Sequence, residues 1–540
     1  MMAESAEVPA DSTPATPAVP ESDSGTLAAL RGVLADANFT PAGLRGHWGT
    51  RIEAALERNN AAPALWFTRG AKAGLPVLAR LFVLDAGVDW AAAEATFGAD
   101  LLRDLGGAGL LVEGPDGIHA TLDLKPYAVP VGVPRYFPDG RPAGDVLYLF
   151  SDHGTLTRGE VAGDFVLGLG GAGRTLVEIT PRRPVELAAD IGCGCGIQAL
   201  LLARHARRVV ATDVSERALA MTRLGAGLAG LDNVQTRLGS LFEPLDEPVD
   251  LLVSNPPFVI TPQGHTQTLE YRDGGRPGDE LMRAVLSGAP EHLRPGGQAA
   301  FLGNWESDPL AWITADDTDV MIIERERLDA VAYAETWIRD GGVPRASRRW
   351  NADTATWLED FRARTVSEVA FGWVRMQRAE DAEPSGSAES AESGETVGAG
   401  EPLRHLEVIS GTLGANNAGL ALHLDTRLAM LQWLAGVDFA ELVGTKFLRA
   451  SDVTEHRHFT PGAEEPTMIT LEQGTGFART FDTDTALAGF VGVADGTLTL
   501  GQVGAALAQL LGVDAAALTA QLAEQLHTLI PAGIVYPAGE

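Results

Sequence analysis

Cysteine is almost missing from this 540-residue chain: there are two, Cys193 and Cys195, both inside one glycine-rich stretch. That excludes a disulfide scaffold and fits a reducing cytoplasm. Long apolar runs are missing as well. No run of about 18 residues is free of charge, so no membrane span is expected. The first 25 residues have neither a basic start nor an apolar block, and they read as a disordered tail rather than a signal peptide. Positive charge is scarce: 41 Lys and Arg against 72 Asp and Glu leave a net charge of −31. Nucleic-acid binding usually needs basic patches, so this balance weakens such a reading. It does not remove it, because 21 of the 31 net negative charges fall in residues 1–25, 379–402 and 403–540. Lysine itself is rare, 3 against 38 Arg, which reads as codon bias in a GC-rich genome.

A chain of this length needs several cores. Residues 26–150 carry helical periodicity, as in Leu44, Trp48, Ile52 and Leu56. Two β-type runs follow, joined by a Pro115-Asp116-Gly117 turn, and together they suggest a small winged-helix-like domain. Residues 151–378 enter and form an alternating region. Strands are expected at Val185–Asp190, Val209–Asp213, Val249–Ser254, Gln298–Gly303, Val320–Glu324 and Val366–Val374. Helices are expected near 196–205 and 216–229. Such alternation implies a parallel sheet covered by helices. Residues 379–402 read as an acidic flexible linker. Residues 403–540 read as a C-terminal domain, again winged-helix-like. The expected fold class is therefore α/β, a Rossmann-like core between two helical domains.

The first chemical motif is Asp190-Ile191-Gly192-Cys193-Gly194-Cys195-Gly196, where a strand runs straight into three alternating glycines. Glycines let the backbone turn sharply and leave room for a ligand. An acid two residues before the first glycine suits an amine-bearing ligand better than a phosphate. Asp213 ends the next strand, where a carboxylate can accept from two ribose hydroxyls. Cys193 and Cys195 could suggest a metal, but one glycine separates them and only His205 is near, so they read as small loop residues and no metal is expected.

These segments, Ala189–Gly196 and Val210–Val214, resemble the first two motifs of class I S-adenosylmethionine-dependent methyltransferases. The resemblance implies S-adenosylmethionine as cofactor, with Asp190 near its amino-acid part, Gly192, Gly194 and Gly196 beneath it, and Asp213 on the ribose. The family usually has an Asp for the adenine amino group where Ser240 stands here, so adenine contact passes to Ser240 with Leu241 and Phe242.

The second motif is Asn255-Pro256-Pro257-Phe258 at another strand end. A conjugated nitrogen is a poor nucleophile, and two acceptors aimed at its N–H bonds draw the lone pair out of the plane. The Asn255 side-chain oxygen and the Pro256 carbonyl can supply them, held by prolines with fixed φ, while Phe258 offers a stacking surface. The tetrapeptide resembles that of the amino- and amide-nitrogen methyltransferases, including ribosomal RNA, DNA adenine and release-factor glutamine enzymes. It implies Asn255, Pro256 and Phe258 as catalytic, with Asn255 also beside the cofactor.

Beyond the motif, Leu269–Gly278 is a polar loop, read either as one in which Tyr271 or Arg272 meets substrate or equally as a solvated surface loop. Its Asp273-Gly274-Gly275 resembles an element of the glutamine-modifying enzymes. Arg345, Arg348, Arg349, Trp350, Arg362 and Arg364 form the one basic cluster with an aromatic inside it, suited to nucleic acid or, with Asp353, Glu359 and Asp360, to a solvated helix. His456 and His458 lack a third ligand for a metal. The expected activity is an N-methyltransferase acting on a cytoplasmic macromolecule without membrane contact. The lean is slightly towards an RNA base, with a protein glutamine as the alternative. A non-catalytic S-adenosylmethionine-binding protein is the reading from another class, and intact Asn255–Phe258 counts against it.

Overall fold

The computed structural model describes residues 18–154, 164–262, 272, 274–345, 347–381, 401–414, 416 and 419–539. From 185 onward the main elements are β1 (Val185–Ile191), α1 (Ile197–Leu202), β2 (Ala206–Asp213), α2 (Glu216–Ala229), β3 (Val234–Leu238), β4 (Val249–Ser254) and α3 (Glu280–Gly288). They continue with β5 (Leu293–Trp305), β6 (Thr318–Asp329), α4 (Ala330–Asp340), α5 (Arg348–Ala363), β7 (Glu368–Arg378) and β8 (Arg404–Val408). All eight strands join one sheet in the order β8-β6-β7-β5-β4-β1-β2-β3. The five strands from β5 to β3 are mutually parallel. β7 inserts antiparallel between β5 and β6. This is the class I methyltransferase arrangement, and strand order reverses between β1 and β4, where ligands of open α/β sheets bind.

The sheet is buried on both faces because successive residues point to opposite sides. Ala188, Val209, Ala211, Leu251 and Val253 face one core, and Leu187, Ala189, Val210 and Leu252 face the other. The first core also takes in Leu27, Leu30, Leu34 and Phe39 from the N-terminal helices. α2 admits them: a Cβ on Gly227 would stand 2.6 Å from a methyl of Leu27. Local chemistry fixes the ends of α2, with Ser215 accepting from the Ala218 N–H and Gly230 closing it at φ +70°. The N-terminal part therefore shares the sheet's hydrophobic core instead of enclosing its own, and its expected hairpin is present as Leu111–Gly114 paired with Gly117–Ala120.

Four expectations are corrected. The tail does not extend to residue 25: the first helix is Ser24–Asp36, capped by Asp23, whose carboxylate accepts from the Gly25 and Thr26 N–H groups. The expected strands at Gln298–Gly303 and Val320–Glu324 are the middles of 13- and 12-residue strands. β3 was absent from the expected list because Val234-Gln235-Thr236-Arg237-Leu238 has little apolar content; pairing with β2 makes it a strand. Finally, the boundary at 403 moves, since β8 pairs in parallel with β6 and belongs to the sheet. The linker's residues 382–400 lie outside the described residues.

β8 also fastens the C-terminal part, which has two three-stranded sheets as well as the expected terminal run of helices. Glu407 of β8 pairs with buried Arg427 and, at 2.6 Å, with Arg479. Arg375 of β7, also buried, pairs with Asp425 of the helix Ala421–Gly436. No helix among the described residues is long and apolar enough to cross a membrane.

Burial alone would raise the pKa of Glu407, but the hydrogen bond to His405 and the charges of Arg427 and Arg479 hold it at about 2. The folded value is below the unfolded one, so the stability it gives is present above about pH 4.5 and is lost as pH falls towards 2. Glu407→Ala should cost about 3–5 kcal/mol at pH 7, because Arg427 is left buried and unpaired. Urea denaturation at pH 7 and pH 3 checks this, and the gap between variant and parent should narrow at the lower pH.

Candidate functional site

The site follows from strand register. In the β1–β2 ladder Ile191 stands opposite Thr212, and in the β1–β4 ladder it stands opposite Ser254. The residues that follow these partners are Gly192, Asp213 and Asn255, so all three emerge side by side at the carboxyl edge. Adjacent strands are about 4.8 Å apart. The Ser254 hydroxyl, fully buried, donates to the Ile191 carbonyl at 2.7 Å and clamps β4 to β1 just below the motifs. On the far side of β2, the Gly239 N–H donates to the Asp213 carbonyl at 3.0 Å, which brings Ser240 and Leu241 to the same edge.

The glycine loop is fixed by its own backbone. Gly192 and Cys193 both donate to the Thr212 carbonyl, at 2.8 and 2.9 Å. Gly192, Gly194 and Gly196 have φ of +71°, +53° and +82°, which glycine adopts without strain. A Cβ on Gly192 or Gly194 would meet nothing within 4 Å, so both face open space. A Cβ on Gly196 would stand 2.8 Å from the Thr222 hydroxyl. That hydroxyl donates to the Gly194 carbonyl at 3.1 Å and lies 3.4 Å from Cys193 Sγ. Thr222 is thus a supporting residue that sequence spacing did not reveal, since α2 brings it in from 28 positions away. Both thiols are buried, and burial pushes Cys195 up to about 11 and Cys193 well above its ordinary value.

Two carboxylates flank the loop. Asp190 is buried, and one oxygen accepts from the Ala199 N–H at 2.9 Å. Burial raises its pKa to about 7, opposed by the Ala199 hydrogen bond and assisted by the Asp213 charge. Asp213 accepts from the Gly194 and Ser215 N–H groups, both at 2.9 Å, one on each oxygen. It therefore shapes the loop as well as bordering the open space, and each oxygen keeps a lone pair for a further donor. Burial raises its pKa, while hydrogen bonds from Gly194, Ser215 and Val214 pull it down. Ser240 is half-buried, and Leu241 adopts φ +49°. That is a costly conformation for leucine, of the sort found where a site constrains the backbone. Phe242 is buried and stacks on His292 with centroids 4.5 Å apart, so it faces the core.

Asn255 is half-buried, and its Oδ1 is a buried acceptor without a partner. Such atoms are rare, because an unmet hydrogen bond costs roughly 1–3 kcal/mol. Pro256 is buried and Phe258 half-buried, with the Phe258 ring edge-on to Trp337 at 6.3 Å. The segment after the motif is held by Tyr333 of α4, whose hydroxyl accepts from the Ile260 N–H at 2.9 Å and the Asn304 amide at 2.7 Å. Neither Tyr333 nor Asn304 carried a sequence signal, since they come from α4 and β5. Gly274 returns close to the motif: a Cβ there would stand 2.9 Å from the Pro257 carbonyl.

Residues 263–271, including Tyr271, and Asp273 lie outside the described residues. Arg272 is not a solvated loop residue. It is buried, donating to the Trp337 carbonyl at 3.1 Å. The basic cluster is divided: Trp350 is buried, Arg345 pairs with Glu335, Arg349 with Asp353, and Arg364 with Glu306 and Asp360, while Arg348 and Arg362 are exposed. His456 pairs with Glu472 across a hairpin at 2.8 Å.

The loop geometry separates its glycines. Gly196→Ala meets both unfavourable φ and Thr222, and should lower stability by about 2–4 kcal/mol; Gly192→Ala meets only the φ term, about 1–2 kcal/mol. Thermal unfolding of the two variants checks the order.

Known proteins share parts of this chain. Residues 169–308 match the family described as methyltransferase small domain, and residues 36–121 match a domain of unknown function, DUF7059. A release factor glutamine methyltransferase of Xylella fastidiosa is 37% identical over 128 residues, 22% of this chain and 46% of the relative. A ribosomal protein uL3 glutamine methyltransferase of Bradyrhizobium diazoefficiens is 33% identical over 170 residues, 28% and 53% of the two chains. A ribosomal RNA small subunit methyltransferase C of Alcanivorax borkumensis is 32% identical over 126 residues, 23% and 34%. The chain spans about half the length of the curated glutamine methyltransferases it matches. The five parallel strands, the glycine loop and the Asn-Pro-Pro-Phe turn all lie inside the segment, residues 169–308, that matches the methyltransferase small domain family.

Proposed function

We propose that this chain is an S-adenosylmethionine-dependent N-methyltransferase whose target is a side-chain amide of a protein of the translation machinery, a glutamine. The observation that carries the reading is the unpartnered, buried Oδ1 of Asn255 at the switch point of the sheet. A carboxamide nitrogen has two N–H bonds to offer and a lone pair tied up in conjugation. Asn255 Oδ1 accepts one N–H and the Pro256 carbonyl the other, which turns the lone pair towards the cofactor side. Two prolines hold these acceptors without competing donors, and Phe258, braced by Trp337, gives the planar amide a flat wall.

The open faces of Gly192 and Gly194 fit a cofactor backbone that a side chain would exclude, and Asp213 has acceptor capacity left for ribose hydroxyls. Asp190 suits a cationic amino group, and Ser240 and Leu241 border the adenine end. S-adenosylmethionine supplies an electrophilic methyl group when bound. The chain's own contribution is orientation and electrostatics. No side-chain base is needed beforehand, since the methylated nitrogen loses its proton readily.

Relatives named for release-factor and uL3 glutamine favour the amide, and Gly274, seated against Pro257, belongs to the element shared with such enzymes. A ribosomal RNA base is the second reading, supported by the relative named for small-subunit RNA. Its sequence support, the arginine cluster around α5, is only partly engaged: Arg345, Arg349 and Arg364 pair with carboxylates and Trp350 is buried, while Arg348 and Arg362 stay exposed. Incubation with radiolabelled cofactor, release factors and ribosomes should put label in protein, and label in RNA would overturn the amide assignment.

Asn255→Ala should keep cofactor affinity within a fewfold and lower the single-turnover rate about 10²–10³-fold, the cost of a hydrogen bond made in the transition state. A wild-type rate would refute the role. Cofactor affinity should also depend on pH. A bound cation favours the charged form of Asp190, which is mostly protonated below about pH 7. Affinity should therefore weaken as pH falls through 7, and Asp190→Asn should flatten the profile in calorimetric titrations.

A further inference from the structure

The end of the sheet opposite the glycine loop carries a second, unassigned feature. A cleft of about 370 Å³ lies between the end of α2, the strand Val146–Ser151 and the residues that lead into β2. β2 separates it from Asp213 by roughly 23 Å at about 3.3 Å per residue. Its apolar lining includes Phe137, Val146 and Leu231, and its polar lining is dominated by Arg31, Arg141 and Arg204.

Arg204 is the unusual one. It is 2% exposed, it donates through Nη2 to the Gly144 carbonyl at 2.6 Å, and its Nε and Nη1 are buried without a partner. Among the described residues no carboxylate forms an ion pair with it. Burial, with Arg135 adding repulsion, pulls its pKa down to about 10. The neighbours do not neutralise it. Arg135 pairs with Asp145, and Arg141 with Asp139 and Asp232, so those carboxylates are already committed. Arg31, which is exposed, donates to the Leu228 carbonyl at 3.3 Å and has donors to spare. A guanidinium offers five N–H donors in a planar fork matched to oxyanions. Leaving one buried with a single carbonyl partner is costly, and the cost is met when an anion enters.

We propose that this cleft is a binding site for a phosphate-type oxyanion, either the free ion or one carried on a compact organic body. Arg204 and Arg31 face the oxyanion, and Phe137 and Leu231 border the body. The volume is within the range of small-molecule pockets, about 300–1,000 Å³. The helix-end carbonyls repel an anion, so the arginines alone recognise it. The site is independent of the methyl-transfer reading, because it lies at the other edge of the sheet and shares no residue with it.

The full chain should be titrated calorimetrically, and followed by thermal unfolding, with inorganic phosphate, uridine 5′-monophosphate and uridine. A pyrimidine nucleotide avoids any adenosine-shaped pocket. The nucleotide should bind and raise the unfolding temperature, while uridine should do neither. Equal binding of inorganic phosphate identifies the free ion as the ligand, and stronger binding of the nucleotide identifies an organic phosphate. Arg31→Gln should weaken binding at least tenfold without loss of fold. Arg204→Met, close in volume, should abolish binding and raise the unfolding temperature of the free protein. Silence of both phosphate and nucleotide, or unchanged affinity in Arg31→Gln, would overturn the proposal.

Discussion

The site depends on one register: Ile191 held level with Thr212 on one side and Ser254 on the other. Parallel pairing sets the three strand ends flush, and the Ser254 hydroxyl locks the β1–β4 pair through the Ile191 carbonyl. A one-residue slip would turn Asp190 and its neighbours to the other face, because side chains alternate along a strand. The buried apolar residues of β1 and β4 resist such a slip, since each strand would have to exchange them between two cores. The catalytic reading of Asn255 therefore rests on packing well below it.

Around that edge, polar groups are treated in two ways. Most are satisfied in place: Asp213 by two backbone N–H groups, Thr222 by the Gly194 carbonyl, Tyr333 by Ile260 and Asn304. Others are left unmet while buried, among them Asn255 Oδ1 at this edge and two donors of Arg204 at the opposite one. The satisfied groups hold the loops in shape. The unmet groups mark where the fold tolerates a local penalty, and these two, Asn255 and Arg204, lie at opposite edges of the sheet.

The N- and C-terminal parts both join the core by apolar packing, and the second adds buried ion pairs. The N-terminal helices share its apolar interior, with Gly227 allowing Leu27 close to α2. The C-terminal part has its own apolar core around Leu522 and Phe490, yet its Leu424, Leu428 and Phe477 also enter the sheet's first core, and buried arginines add ion pairs, Arg375 with Asp425 and Arg427 with Glu407. Acid should weaken the ion-paired part of the second attachment, because Glu407 and Asp425 must be ionised to hold the buried arginines.

The two motifs and the strands that carry them were legible in the chain. Their signals are local: an apolar run ending in Asp, glycines at every second position, a proline pair after Asn255. β3 and β8 were not legible, since each is short and polar and becomes a strand only by pairing with β2 or β6. Arg272 and Trp350 looked available in sequence because charge and aromaticity carry no sign of burial. The sequence by itself determined which chemistry could be assembled: a glycine loop, two acids and an Asn-Pro-Pro-Phe turn. Only the tertiary structure decided that Asn255 keeps an unmet acceptor, that Thr222 supports Gly196, and that Arg204 is buried without a counter-charge. Those facts arise from contacts between residues far apart in the chain, and hydrogen-bond partners at such distances are set by packing, not by neighbours in sequence.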